Sequence, residues 1–168
     1  MKKLHLHFVG IKGVGMTALA IWAKEKGFKV TGSDLAEEFV TEEMLTKFKI
    51  PIKIGFDASQ LETKPDLVVV TGAHGGKTNS EAMTLATQGV EVITHGQAVG
   101  RFMQGGVGIS VAGVGGKTTT SAMLAILLSS AKLDPSYLVG AGKIYPLQKP
   151  GHAGKGKYFV AEADEYAS

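Results

Sequence analysis

The sequence runs to 168 residues, 44% apolar and 20% charged, the make-up of an ordinary globular chain with room for one domain, or one small domain and part of another. Its 23 glycines show no triplet period and it has no cysteine, which excludes a collagen-like rod, a disulfide framework and a thiolate zinc site. The net charge of +3 comes from dispersed lysines, loosely clustered only in KPGHAGKGK (149–157), so an anionic small molecule suits it at least as well as nucleic acid.

From the N-terminus, MKKLHLHFVG is too polar for the core of a signal peptide, and no later window reaches the roughly 20 apolar residues of a membrane span. A cytoplasmic protein is expected. KLHLHFVG alternates and then turns apolar, predicting a strand that runs into a Gly-rich turn. His5 and His7 share one face of that strand and are expected to be structural. VGMTALAIWAKEKG comes next as a helix stopped by Gly27, and FKVTGSD as a second strand. EEFVTEEMLTKFK predicts an amphipathic helix with Val40, Met44 and Phe48 on one stripe, its acids early and its lysines late.

PDLVVVTG is a continuous apolar run, as in a strand buried on both faces of a parallel sheet. A helix at SEAMTLATQG, a strand at VEVIT and a helix at HGQAVGRFMQ complete an alternation that predicts a doubly wound α/β domain over residues 1–104. Met16, Met44, Met83, Met123 and Trp22 fall on helices and are expected to fill core. At QGGVG (104–108) a Gly-rich joint appears and the pattern restarts with a strand at GISVAG, a loop at GVGGK and an apolar helix at TTTSAMLAILLSSA. Strands at SYLVGAG and KYFVAEAD close the chain. The last strand has no covering helix, so residues 105–168 read as the N-terminal part of a second domain in a truncated chain.

Glycines 10, 13 and 15 stand between a strand and a helix, where backbone N–H groups and the positive end of the helix favour an anion. Against the dinucleotide fingerprint Gly-x-Gly-x-x-Gly, Lys12 occupies the middle glycine position, and Asp34 lies where a ribose-binding acid would stand. An anion site is expected there, with a ligand that need not be NAD.

Two stretches, AHGGKTNS (73–80) and AGVGGKTTT (112–120), share Gly-Gly-Lys-Thr. Neither meets the full phosphate-loop pattern, since Thr71 and Val111 occupy the first glycine position. The shorter Gly-x-x-Gly-Lys-Thr is met only by Gly113, Gly116, Lys117 and Thr118, and a hydroxyl-rich helix start comes directly after it. Lys117 would span the outer phosphates while Thr118 or Thr119 reaches a magnesium ion. After Lys77, Glu81 would bring negative charge toward any bound phosphate, so the first stretch is expected to be no triphosphate loop, although its position after a strand leaves it a place in the first pocket. In FVAEADEYAS, Glu162 and Asp164 share one strand face while Glu165 points away; an acid at such a strand end can hold a metal opposite a phosphate loop.

HFVGIKGVGMTALA, VTGSD, VAGVGGKTTT and AEADEYAS, in this order and spacing, resemble the muramyl (Mur) ligase family of peptidoglycan synthesis. The resemblance implies a Rossmann-like UDP-binding domain at 1–104 followed by the start of a P-loop ATPase domain at 105–168. It implies ligation dependent on ATP and Mg2+, in which the carboxylate of UDP-N-acetylmuramate is activated as an acyl phosphate and taken by the amine of L-alanine. A murein tripeptide is the alternative amine. On this mapping the UDP substrate meets Gly10, Ile11, Lys12, Gly13, Val14, Gly15, Met16, Ser33, Asp34 and Ala73. ATP meets Gly113, Val114, Gly115, Gly116, Lys117, Thr118 and Thr119, with Lys117 catalytic, and the metal meets Thr118, Thr119 and Glu162. Val114 and Gly115 replace the Thr and His usual in the family loop, and Phe56 stands where a His is common. The chain alone is expected to be inactive. The competing readings are an NAD-dependent dehydrogenase and a non-catalytic nucleotide-sugar sensor.

Overall fold

Residues 3–163 are described by the computed structural model. The first half is a five-stranded parallel sheet in the order β3-β2-β1-β4-β5, with β1 at His5–Val9, β2 at Lys29–Asp34, β3 at Ile52–Ile54, β4 at Leu67–Val70 and β5 at Glu91–Thr94. Its crossover helices are α1 (Val14–Glu25), α2 (Glu42–Lys47) and α3 (Ser80–Thr87), and α4 (His95–Phe102) comes after β5. The apolar run Leu67–Val70 is buried throughout, as a central parallel strand requires. Strand order reverses between β1 and β4, so the turns after them diverge and leave a crevice at their carboxyl ends, the usual ligand position in such sheets.

The second sheet has the order β6-β9-β7-β8, formed by Val107–Val111, Tyr158–Glu162, Ser136–Leu138 and Gly151–His152; only β8 runs antiparallel. Its helix, α5, is Lys117–Ser130. Every residue from Met16 to Ala23 in α1 is buried, because this helix is apolar all round and is covered on both sides. One side meets its own sheet and the other meets β7 and β8. Gly151 permits that approach, since a Cβ there would run into the carbonyl of Ala18. One apolar cluster therefore spans both sheets, including Phe8, Leu19, Leu138 and Phe159. Trp22 sits at the junction with its ring 5.1 Å from Phe102 and 5.6 Å from Phe159. Among the described residues no helix is long and apolar enough to cross a membrane.

Several local expectations change. The helix expected across residues 37–49 is only α2, and Val40 precedes it, 78% exposed; Met44 and Leu45 form its buried side. The segment before α2 is held instead by Lys12, whose Nζ donates to the carbonyls of Leu35 (2.8 Å) and Glu37 (2.7 Å). Met16 and Met44 fill core, whereas Met83 and Met123 are 52% and 56% exposed, because both lie on outward faces of their helices. Strands β3 and β8, three and two residues long, were too short to leave a periodic signal. His5 and His7 are both buried, each with a ring nitrogen 2.8 Å from the Thr31 hydroxyl, as structural residues. Burial, with Lys29 and His7 nearby, pushes His5 down to about 4.

Candidate functional site

The turn after β1 has a buried foundation and an open rim. Gly10, with φ of +81°, and Ile11 both donate their N–H to the Ser33 carbonyl, at 2.9 and 3.2 Å. Asp34 is likewise occupied by protein: Oδ2 accepts from the Lys12 N–H (2.7 Å), Oδ1 from the Leu35 N–H (2.8 Å), and His74 Nε2 lies 3.7 Å from Oδ1. The Lys12 ammonium points away from the turn toward Glu42, 2.7 Å away. The Ser33 hydroxyl donates to Glu81, which also lies 3.2 Å from His7 Nε2, all three buried. Gly10, Ile11, Lys12, Ser33 and Asp34 thus support the turn from behind, while Gly13, Val14, Gly15 and Met16 line a cavity. Ala73 is exposed on the loop after β4, and its neighbours Thr71 and Gly72 line the cavity instead.

The two Gly-Gly-Lys-Thr stretches lead into different local structures. Gly116, in the left-handed region at φ of +75°, is the N-cap of the 14-residue helix α5, so Lys117 opens the helix and the amides of its first turn face forward. Lys77 lies in a 3-10 turn, Gly76–Thr78, where the N–H groups of Thr78 and Asn79 are spent on the carbonyls of Gly75 and Gly76. Helix α3 starts only after Asn79, whose side chain caps the Glu81 N–H. Glu81 turns into the core rather than toward a ligand.

In the second glycine turn Lys117 Nζ donates to the Gly113 carbonyl at 3.0 Å. The pairing of Val111 with Glu162 brings the end of β9 beside the start of the loop. Thr118 Oγ1 then donates to Glu162 Oε2 at 3.2 Å, and Thr119 is exposed at the next helical position. Asp164 and Glu165 lie outside the described residues.

Both turns line one cavity of about 400 Å³, with Gly13–Met16, Thr71, Gly72, His95 and Val99 on one wall and Lys117, Thr118, Leu138–Gly140, Ala161 and Glu162 on the other. His95 is placed by the helix start it belongs to: Thr94 caps α4 by accepting from the Gln97 N–H, and the Gln97 side chain returns the bond. Among the described residues no group of three or more His, Cys, Asp or Glu could hold a metal. A metal here would have the Glu162 carboxylate and the Thr118 hydroxyl as protein ligands and take its remaining oxygens from phosphate and water. That donor set fits magnesium.

A family model described as Mur ligase family, catalytic domain, matches residues 5–106, which include the first glycine turn and the whole first sheet. The chain belongs to the Mur ligase family. The UDP-N-acetylmuramate–L-alanine ligase of Desulfitobacterium hafniense (strain Y51) is 41% identical over 165 residues, covering 97% of this chain and 36% of that protein. The solved UDP-N-acetylmuramate:L-alanyl-gamma-D-glutamyl-meso-diaminopimelate ligase of Neisseria meningitides is 32% identical with a TM-score of 0.85, over 98% of this chain and 54% of that one. The UDP-N-acetylmuramate-alanine ligase of Thermotoga maritima is 29% identical with a TM-score of 0.79, over 95% of this chain and 37% of that one. This Mur ligase chain spans about a third of the length of the curated relatives it matches. Sequence reasoning about the Mur ligase site missed Thr71, Gly72, Gly140 and Ser121, whereas His95, near the pocket edge expected from the sequence, lines the cavity. Ser121 alone carried a local signal, four residues after Lys117 on the same helix face.

Proposed function

We propose that this chain carries the nucleotide-binding part of an ATP-dependent ligase that joins L-alanine to UDP-N-acetylmuramate. The observation that carries the reading is the single cavity lined by the N-termini of α1 and α5 together with Glu162. Each helix start offers N–H groups and partial positive charge, so two phosphate-bearing ligands can be drawn to one space. The rim at Gly13–Met16 would take the diphosphate of the nucleotide sugar, and Gly113–Thr119 the triphosphate of ATP.

In this reading the muramate carboxylate attacks the γ-phosphorus and the bond to the β-phosphate oxygen breaks, releasing ADP and an acyl phosphate. The amine of alanine then attacks the acyl carbon, phosphate leaves, and the nitrogen gives up a proton to form the amide. Lys117 exchanges the Gly113 carbonyl for phosphate oxygen and neutralises charge on the group in transfer. Magnesium bound at Glu162 and Thr118 would offset the remaining phosphate charge. The chain's own part is to orient the two ligands and hold that charge.

The amine substrate has two candidates. The name and 41% identity of the Desulfitobacterium relative favour alanine, whereas the TM-score of 0.85 to the Neisseria ligase favours a peptide. Calorimetry on the 168-residue chain tests the shared part: UDP-N-acetylmuramate and Mg·ATP should bind, and Lys117→Ala should lose ATP alone. Tighter binding of NADH than of UDP-N-acetylmuramate would overturn the reading.

A further inference from the structure

We propose that Ser121 is the positioning residue that fixes the Glu162 carboxylate for metal binding, an inference that rests on the nucleotide reading of the loop at 113–119. Ser121 is 0% exposed, one turn along α5 from Lys117. Its Oγ lies 3.0 Å from Glu162 Oε1, 2.9 Å from the Lys117 carbonyl and 3.1 Å from the Thr118 carbonyl. A serine hydroxyl has one proton, and a carboxylate is a stronger acceptor than a peptide carbonyl already bonded within a helix. The proton therefore goes to Glu162.

The second donor to the same oxygen is the Gly140 N–H at 2.7 Å. A Cβ at Gly140 would stand 3.1 Å from Oε2 and 3.4 Å from Oε1, so glycine keeps the carboxylate's place clear. Oε1 is thus held by two donors, one from α5 and one from the loop after β7, whereas Oε2 meets Thr118 Oγ1 at the cavity wall. This asymmetry divides the work within one carboxylate: one oxygen anchors it and the other is presented with the threonine hydroxyl. Removing the Ser121 hydroxyl leaves Oε1 on the Gly140 amide alone, about which the carboxylate can pivot.

The test is ATP binding by the 168-residue chain with magnesium and again with EDTA. Ser121→Ala should weaken binding in magnesium about tenfold to a hundredfold, the usual effect of removing a partner of a metal ligand. Affinity in EDTA should stay at the wild-type value, and Ser121→Thr should restore magnesium dependence. The Gly140 amide proton should shift in the alanine variant as the carboxylate turns. Equal magnesium dependence in Ser121→Ala and wild type would overturn the inference while leaving the nucleotide reading intact. A parallel loss with and without magnesium would also overturn it, since that marks general damage to the loop. Absence of ATP binding by the wild type would instead remove the nucleotide reading, and the inference with it. Should the alanine variant not fold, Ser121→Cys, similar in shape but a weak donor, must show the same magnesium-specific loss; unaltered magnesium dependence there refutes the role.

Discussion

Glu25, in the last turn of α1, and His152, in β8, meet through Oε2 and Nδ1 at 2.7 Å. The contact joins the first crossover helix to the edge strand of the second sheet, at the end of α1 remote from the cavity. Glu25 also accepts from Lys149 (2.5 Å) and from the Ala153 N–H (2.9 Å), while His152 Nε2 lies 3.0 Å from Asp134 Oδ1. Burial works against the Glu25 carboxylate, but the bonds from His152 and Lys149 outweigh it and hold the group at about 2. The bond to Glu25, opposed by burial and helped by Asp134, raises His152 above its ordinary value.

This clamp makes stability depend on pH in two directions. Glu25 lies below its ordinary 4.5, so its contribution is complete above that value and is lost as pH falls toward 2. His152 lies above its ordinary 6.5, so its contribution is complete below 6.5 and is lost as pH rises through the higher folded value. The clamp is strongest between these limits. Glu25→Gln should cost about 1 kcal/mol there, a modest figure because the pair is partly solvated. Thermal midpoints compared from about pH 2 to pH 9 check this, and a wild-type advantage that does not change with pH would refute it.

Glu81 is 1% exposed and serves both Ser33 and His7 beneath the first turn. Glu81→Ala should destabilise by about 3–5 kcal/mol, because polar partners are left unmatched in the core. Denaturant unfolding measures it, and a loss below about 1 kcal/mol would show that water replaces the carboxylate.

Gly32 in β2 faces the side chain of Ile11, and a Cβ there would lie 2.5 Å from its Cδ1 and 2.6 Å from its Cβ. Since Ile11 is itself fully buried, Gly32→Ala should cost about 1–3 kcal/mol through overpacking. A shift of the Ile11 methyl signals should accompany the loss; unchanged stability would mean that the first turn yields.

Among the described residues strand β6 pairs only with β9, and Val107 is 47% exposed; apolar residues on the outer face of α5, such as Leu127, are exposed too. Amides of β6 should exchange with solvent faster than those of β4, while β7 and β9, packed on α1, should be protected nearly as well as the first sheet. Equal protection of β6 and β4 would contradict this.

Much of the first sheet was legible because strand, glycine turn and helix are local patterns. The positions of β1, α1, β2, β4, α3 and β5 come from apolar runs, and glycines mark where the chain must turn. The helix expected before Glu42 failed because Lys12, from another turn, supplied bonds to that segment that no helical pattern predicts. Asp34 carried the right spacing for a ligand acid, yet the Lys12 and Leu35 amides use it as a support.

The sequence by itself determined that two glycine turns each feed a helix, and that a lysine, hydroxyls and an acid accompany the second. Only the tertiary structure decided that both helix starts line one cavity, that Glu162 stands against Thr118 and Ser121, and that α1 lies between two sheets. The reason is range. Backbone preference and periodicity act over a few residues, whereas bringing Gly15 to the same space as Lys117 depends on burying the mostly apolar stretch Met16–Ala23 of α1 from both sides.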